Sequence, residues 1–309
     1  MKNLQDVQNH SQFDNFEFIA RQIVEGFITG LHRSPFHGFS VEFAEHRLYN
    51  SGESTKHIDW RLFAKTDKLF VKRYEEETNL RCQIVIDTSS SMLFPFNDSK
   101  LDSKLAFSLY SAAALIYMLR KQRDAVGLSL FDSKLELHTP AKLSQVHAQM
   151  LFSELNKVFS NNNSKESFNK TTSLAEVLHQ ISDSIHQRSL VIIFSDFFEN
   201  SNPEELHAAL QHLRYNKHEV IIFNVNEPDA EENFAFPNRP LKVTDMESGE
   251  TIKVNPNQVR AFYKENVSKI TNDLRLKCAQ YQIEYKKADI KNGFNQVLIE
   301  YLVKRNKLF

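Results

Sequence analysis

The stretch Cys82-Gln83-Ile84-Val85-Ile86-Asp87-Thr88-Ser89-Ser90-Ser91-Met92 changes character at one residue, passing from a short apolar run to a carboxylate followed by four hydroxyl side chains. An apolar run this short, bounded by polar residues, is the pattern of a parallel strand buried on both faces, with Asp87 at its carboxyl end. A second run of the same kind, Leu190-Val191-Ile192-Ile193-Phe194, stops at Ser195-Asp196. Between the two, the spacing predicts a helix over 101–121, a strand over 126–131, a neighbouring strand over 134–138 and a helix over 143–159. A polar loop over 161–170 and a helix over 174–185 follow. Beyond the second run, Asn202 and Pro203 open a helix over 203–214 as cap and first residue, and 219–225 is a further strand. Two alternating runs within 241–254 flank Glu247-Ser248-Gly249-Glu250 and read as a hairpin with Gly at its turn. A long helix over 258–281, a strand over 283–288 and a helix over 293–304 close the chain. Repeated strand and helix alternation predicts an α/β fold with a doubly wound, mostly parallel, Rossmann-like sheet. Ligands of such sheets bind beyond the carboxyl ends of strands where the strand order reverses, so the residues after Ile86 and Phe194 are the ones to inspect.

Upstream, Phe16, Ile19, Ile23, Phe27 and Leu31 recur at helical steps, with Gly30 as a terminator. Residues 39–49 and 68–75 alternate as two strands around the 57–65 segment, which holds the single Trp, Trp60. The expected organisation is a small N-terminal α+β subdomain over 1–79 and a main domain over 80–309, with a hairpin insertion around 235–256.

A chain of 309 residues can hold one large core with a smaller appendage. Hydrophobic residues at 41% and charged residues at 25% are those of an ordinary folded chain, neither disordered nor membrane-embedded. The 38 basic against 39 acidic side chains leave a formal charge of −1, which supplies no general attraction for nucleic acid or anionic lipid. Cys82 and Cys278 are too few and too far apart for a disulfide framework or zinc-ligand set, and read as packing residues in a reducing compartment. The first 15 residues lack the features of a secretory signal, and the uncharged stretch over 105–119 falls short of the ~20 residues that span a bilayer. The expectation is a cytoplasmic protein without a transmembrane segment and without a nucleic-acid partner. With 7 Gly and no Gly-rich phosphate loop, nucleotide binding by the chain itself is not expected.

Asp87, Ser89 and Ser91 place a carboxylate and two hydroxyls at alternate positions on one tight turn. Thr172, ahead of the helix at 174, and Asp196, at the second strand end, add a hydroxyl and a carboxylate, giving five hard oxygen donors. Thr171 is the alternative to Thr172, and the spacing to Leu174 favours Thr172. Such donors suit Mg²⁺, or another divalent cation such as Mn²⁺ or Ca²⁺, with waters completing the shell. Two carboxylates balance the ion's charge while the hydroxyls donate weakly, which leaves affinity for one outside anionic oxygen.

The pattern Asp87-x-Ser89-x-Ser91, then a distant Thr, then Asp196, resembles the metal-ion-dependent adhesion site of von Willebrand factor A domains. That resemblance implies direct ligation by Ser89, Ser91 and Thr172, with Asp87 and Asp196 acting largely through water, and an acidic side chain of a partner protein as ligand. The segment from Gly38 to Tyr49, Ile58-Asp59-Trp60-Arg61 and Val71-Lys72-Arg73-Tyr74-Glu75-Glu76-Glu77 further resemble the bacterial family called domain of unknown function 58. Members of that family carry a von Willebrand factor A-like domain and are commonly encoded beside MoxR-type AAA+ ATPases. The resemblance covers roughly residues 30–225. Two departures are the absence of glycines in Lys170-Thr171-Thr172 and Ser51-Gly52-Glu53 where the family often has Pro-Gly-Asp.

The expected function is a metal-dependent protein-binding adaptor, not an enzyme, working with a MoxR-type ATPase in assembly or remodelling of client complexes. The alternative is a Mg²⁺-dependent phosphohydrolase with Asp87 as nucleophile, weakened by Ser89 standing where a second carboxylate would serve as acid and base. Plainer readings apply elsewhere: Trp60 as core, the charged residues 72–77 as a solvated strand, His179, His186, His207 and His212 as surface residues, and Lys304-Arg305-Asn306-Lys307 as an ordinary helix end.

Overall fold

The computed structural model describes residues 16–31, 46–48, 60–66, 68–72, 80–95, 102–161, 174–197, 203–244 and 249–308. The sheet that organises them is built from strands β3 (Arg81–Asp87), β4 (Ala125–Phe131), β5 (Leu135–His138), β6 (Leu190–Ser195), β7 (Glu219–Asn226) and β10 (Glu284–Asp289), in the order β10-β7-β6-β3-β4-β5. All neighbours are parallel except β5, which returns antiparallel beside β4 after the short turn at Asp132-Ser133-Lys134. A turn that short can join only antiparallel strands. The chain runs outward from β3 through β4 to β5, then recrosses to β6 and runs outward the other way, so the strand order reverses between β3 and β6. This is the doubly wound, mostly parallel sheet expected from the sequence.

Successive residues of each strand face opposite helical layers. Ile84 and Ile86, with Ile192 and Phe194, pack into a core shared with helices α1 (Phe16–Leu31), α3 (Lys104–Lys121), α4 (Gln145–Asn161) and α8 (Asn295–Leu308). Val85, Val191 and Ile193 pack into a second core with α5 (Leu174–Ser184), α6 (Pro203–Tyr215) and α7 (Pro256–Gln280). Helix α3 is buried along nearly all its circumference, as a helix apolar on every side must be. It starts three residues later than the sequence suggests, at Lys104, because Ser103 caps it by accepting the Ala106 N–H at 3.1 Å. Phe16, Ala20, Val24 and Phe27 of α1 belong to the same core as α3, and Phe16 stacks on Tyr110 at 4.8 Å. Gly30 lies inside α1 and does not terminate it.

Of the upstream segment, strands β1 (His46–Leu48) and β2 (Phe70–Lys72) pair antiparallel, and α2 (Trp60–Thr66) lies between them in the chain. The Trp60 side chain and residues 73–77 lie outside the described residues. The insertion is the antiparallel pair β8 (Leu241–Thr244) and β9 (Thr251–Val254), with Gly249 at φ +74° in the connection. The closing helix uses its basic end internally. Lys304 pairs with Glu219 at 2.7 Å and Arg305 with the buried Asp124, so these two charges are structural. Both cysteines are buried and unpaired, as expected of packing residues.

One polar layer interrupts the apolar sheet. Gln83 Nε2 donates to Ser129 Oγ at 2.8 Å, and Ser129 Oγ meets His138 Nδ1 at 2.9 Å. Gly127 makes the layer possible, since a Cβ there would stand 2.4 Å from Gln83 Oε1 and 2.5 Å from the Thr139 carbonyl. One of those neighbours is backbone, so the Gly127→Ala variant is expected to lose about 1–3 kcal/mol in urea unfolding, the cost of an overpacked core. Unchanged stability would show that this strand can shift freely.

His218, fully buried ahead of β7, accepts the Ser189 N–H on Nδ1 at 3.3 Å. Burial lowers its pKa from the ordinary 6.5. A depressed imidazole stabilises the fold above its unfolded pKa, and that contribution is lost as pH falls below about 6.5. The stability difference between the wild type and His218→Gln should therefore shrink between pH 7.5 and pH 5.5. A difference independent of pH in denaturant titrations would refute the assignment.

Candidate functional site

Asp87 ends β3 and Ser195 ends β6, and the register that pairs Ile86 with Phe194 sets the two ends side by side at the reversal of strand order. Ser195 Oγ donates to Asp87 Oδ2 at 2.7 Å and accepts the Phe197 N–H at 3.0 Å. Phe197 takes a left-handed φ of 54°, turning the chain away just after Asp196. On the β3 side, Thr88 fixes the turn by donating both its N–H and its hydroxyl to the Phe131 carbonyl, at 2.7 and 2.8 Å. A 3-10 turn over Ser90–Leu93 follows, anchored by the fully buried Met92, whose N–H bonds to the Ser89 carbonyl at 3.2 Å. Anchored at both ends, the turn carries Ser89 and Ser91 on the same side, with their hydroxyl oxygens 3.1 Å apart.

Asp87, Ser89 and Ser90 are fully buried and Asp196 is 4% exposed, while Ser91 is partly open. Asp87 Oδ1 accepts the Ser89 N–H at 2.9 Å, so both of its oxygens are engaged. Burial, and after it the charge of Asp196, push the Asp87 carboxyl up to about 7, against the hydrogen bonds from Ser195 and Ser89. Four of the five donors expected from the sequence, Asp87, Ser89, Ser91 and Asp196, thus come from two adjacent strand ends. Thr172, with its alternative Thr171, lies outside the described residues.

The donor set fits a hard cation. The Ser89 and Ser91 hydroxyls share a hydrogen bond at 3.1 Å, a separation also compatible with neighbouring ligands of an octahedral ion, which lie about 3 Å apart at ~2.1 Å bonds. Asp87, with both oxygens already accepting, suits a position one water removed from such an ion.

Two residues that the sequence did not single out complete the surroundings. Lys104, 1% exposed at the start of α3, donates through Nζ to Asp196 Oδ2 at 2.6 Å and also to Glu231. Glu231 belongs to a π-helical turn, Pro228–Glu232, that follows β7. Burial pulls the Lys104 ammonium down, but Asp196 and Glu231 outweigh it and the net direction is up, so the side chain stays charged. Ser195 itself could have been noticed as a hydroxyl beside Asp196; Lys104 and Glu231 stand 92 and 127 positions from their partners and share no spacing signal.

Elsewhere, His179 of α5 meets His212 of α6 with their Nδ1 atoms 2.9 Å apart, and His212 Nε2 lies 3.2 Å from Asp183. The reading of these two as surface histidines is corrected here: both are half-buried between α5 and α6, with Asp183 of α5 beside His212.

Residues 45–272 match the family model described as protein of unknown function DUF58. An uncharacterized protein of Mycobacterium bovis and one of Mycobacterium tuberculosis are each 22% identical over 215 residues, which cover 69% of this chain and 63% of theirs. Among solved structures, the hypothetical protein BatB of Bacteroides thetaiotaomicron is 14% identical, covering 73% of this chain and 99% of that one, with a TM-score of 0.40. An aerotolerance-related membrane protein of Bacteroides fragilis is 16% identical over the same shares, with a TM-score of 0.41. The SpRpn10 VWA domain is 13% identical, covering 48% of this chain and 76% of that one, at a TM-score of 0.30. The family match runs past residue 225, through the hairpin and into α7, and takes in well over half of the residues: the chain belongs to the DUF58 family of proteins of unknown function.

Proposed function

We propose that this chain is a metal-dependent protein-binding adaptor, in which a divalent cation, Mg²⁺ in the first instance, is held by Ser89, Ser91 and Thr172, with Asp87 and Asp196 acting through water. The observation that carries this reading is the convergence of two carboxylates and two hydroxyls at neighbouring strand ends where the sheet reverses its order. When bound, the ion supplies a position for an outside carboxylate oxygen, so the ligand is an acidic side chain of a partner protein. The protein's own contribution is orientation. Thr88 and Met92 fix the turn, and Ser195 and the Ser89 N–H fix the Asp87 carboxylate.

A MoxR-type AAA+ ATPase is the proposed partner, with assembly or remodelling of client complexes in the cytoplasm as the outcome; the support is the family's gene association and the absence of a Gly-rich phosphate loop in this chain. Among the described residues, no helix is long and apolar enough to cross a membrane. The phosphohydrolase alternative asks Asp87 to attack as a nucleophile. Full burial, with both oxygens already accepting hydrogen bonds, favours a holding role instead.

The test is capture of the purified MoxR-type ATPase from the same organism, in Mg²⁺ and in EDTA, by the wild-type chain and by the Asp87→Ala and Ser89→Ala variants. Capture should require Mg²⁺ and weaken by about 10- to 100-fold or more in each variant, with circular dichroism unchanged. Equal capture by all three chains, or capture indifferent to EDTA, would reject the mechanism.

A further inference from the structure

Lys104 places a full positive charge inside the site. Its ammonium is 1% exposed, lies 2.6 Å from Asp196 Oδ2 and bonds Glu231 as well, and it stands 6.0 Å from the centre of the Phe94 ring. A buried ammonium needs counter-charges, and a carboxylate that neutralises it has less to offer a second cation. Asp196 therefore faces two claims, from Lys104 on one oxygen and from whatever occupies the Ser89 and Ser91 side. Glu231, 15% exposed in its side chain, is the other holder of Lys104.

Charge counting gives the consequence. In the ion-bound site, the carboxylates of Asp87, Asp196 and Glu231 with the Lys104 ammonium amount to two net negative charges, which a divalent cation balances. Without Lys104 the same carboxylates would leave three. The metal would then be held more strongly, and the filled site, now net negative, would repel an incoming carboxylate. Without the charge of Glu231 the balance tips the other way.

We propose, resting on the metal-site reading above, that Lys104 and Glu231 are the affinity-setting residues of the site: Lys104 is a built-in competing cation that weakens divalent-ion binding and keeps the filled site receptive to an anionic ligand, and Glu231 offsets it. Neither residue ligates the ion. Lys104 acts through Asp196, and Glu231 acts through Lys104.

The experiment titrates Mn²⁺ into the full chain and reads free Mn²⁺ by electron paramagnetic resonance, for the wild type, Lys104→Met and Glu231→Gln. Lys104→Met should bind Mn²⁺ at least about tenfold more tightly, and Glu231→Gln at least about tenfold more weakly, the direction and order expected of one unit charge close to a divalent ion. A purely structural pair would move both variants the same way, since each breaks the same bond. Should Lys104→Met not fold, Lys104→Gln takes its place, and the opposite shifts of the lysine and Glu231→Gln variants remain the test. Wild-type binding with both variants unchanged, or both shifted in one direction, overturns the inference and leaves the metal site standing. No Mn²⁺ binding by any of the three overturns the metal reading, and the inference with it. Binding seen only in Lys104→Met supports the inference in its strongest form.

Discussion

The hydrogen bond from Ser195 Oγ to Asp87 Oδ2, 2.7 Å long, joins residues 108 positions apart and depends on β3 and β6 being direct neighbours. Those strands are neighbours because the chain, after placing β4 and β5 on one side of β3, crosses back to fill the other side. At such a crossing the connections leave in opposite directions and the strand ends are left uncovered by their own loops. The candidate site lies at that crossing. The apolar residues that pin it, Ile84 and Ile86 against one layer of helices and Val85 against the other, make the strand immobile on both faces, so the turn after Asp87 inherits a fixed position.

Much of this is legible in the sequence. Two apolar runs ending in aspartate specify buried parallel strands and place Asp87 and Asp196 at their carboxyl ends, because a strand buried on both faces tolerates no charge until it leaves the sheet. Local periodicity also located the helices and the hairpin. What it could not convey was pairing across the chain. Lys104 looked like one more basic residue in Ser99-Lys100-Leu101-Asp102-Ser103-Lys104, and only the cap at Ser103, which delays the helix, turns it into the first helical residue and aims it at Asp196. Glu231 sat in a segment with no periodicity, since a π-helical turn follows neither the 3.6-residue nor the two-residue repeat. The contact of His179 with His212 likewise has no spacing signal, because the two rings come from different helices.

The electrostatics of the site separate its charged groups by neighbour. Asp87, enclosed with only neutral donors, is raised to about 7, whereas Lys104, enclosed with two carboxylates, is held charged. A cation beside Asp87, as in the proposed function, would offset both the cost of its burial and the repulsion from Asp196. Ser89 and Ser91, neutral and hydrogen-bonded to each other, would add coordination to the proposed ion without adding charge.

Stability alone does not account for such a cluster. Apolar residues of similar volume commonly serve a fold as well as a buried ion pair or better, while loss of one partner from a buried pair costs about 3–5 kcal/mol. The rest of the sheet follows the economical course: β6 presents Leu190 through Phe194 without a polar interruption, and β7 does the same from Val220 to Phe223. The Gln83 layer admits neutral polar groups, its amide nitrogen bonded to Ser129 and its amide oxygen left without a hydrogen bond. Buried formal charge occurs in the Arg305–Asp124 and Lys304–Glu219 pairs that tie down the closing helix, and again at the reversal point, where Asp87, Lys104, Asp196 and Glu231 converge from four separate elements or their ends. Departures from local economy are expected at functional sites. Here the departure lies where the strand order reverses between β3 and β6, and it includes the Ser89 and Ser91 hydroxyl pair, 3.1 Å apart. Position, charge and donor chemistry are three separate constraints, and the turn after Ile86 is where they agree.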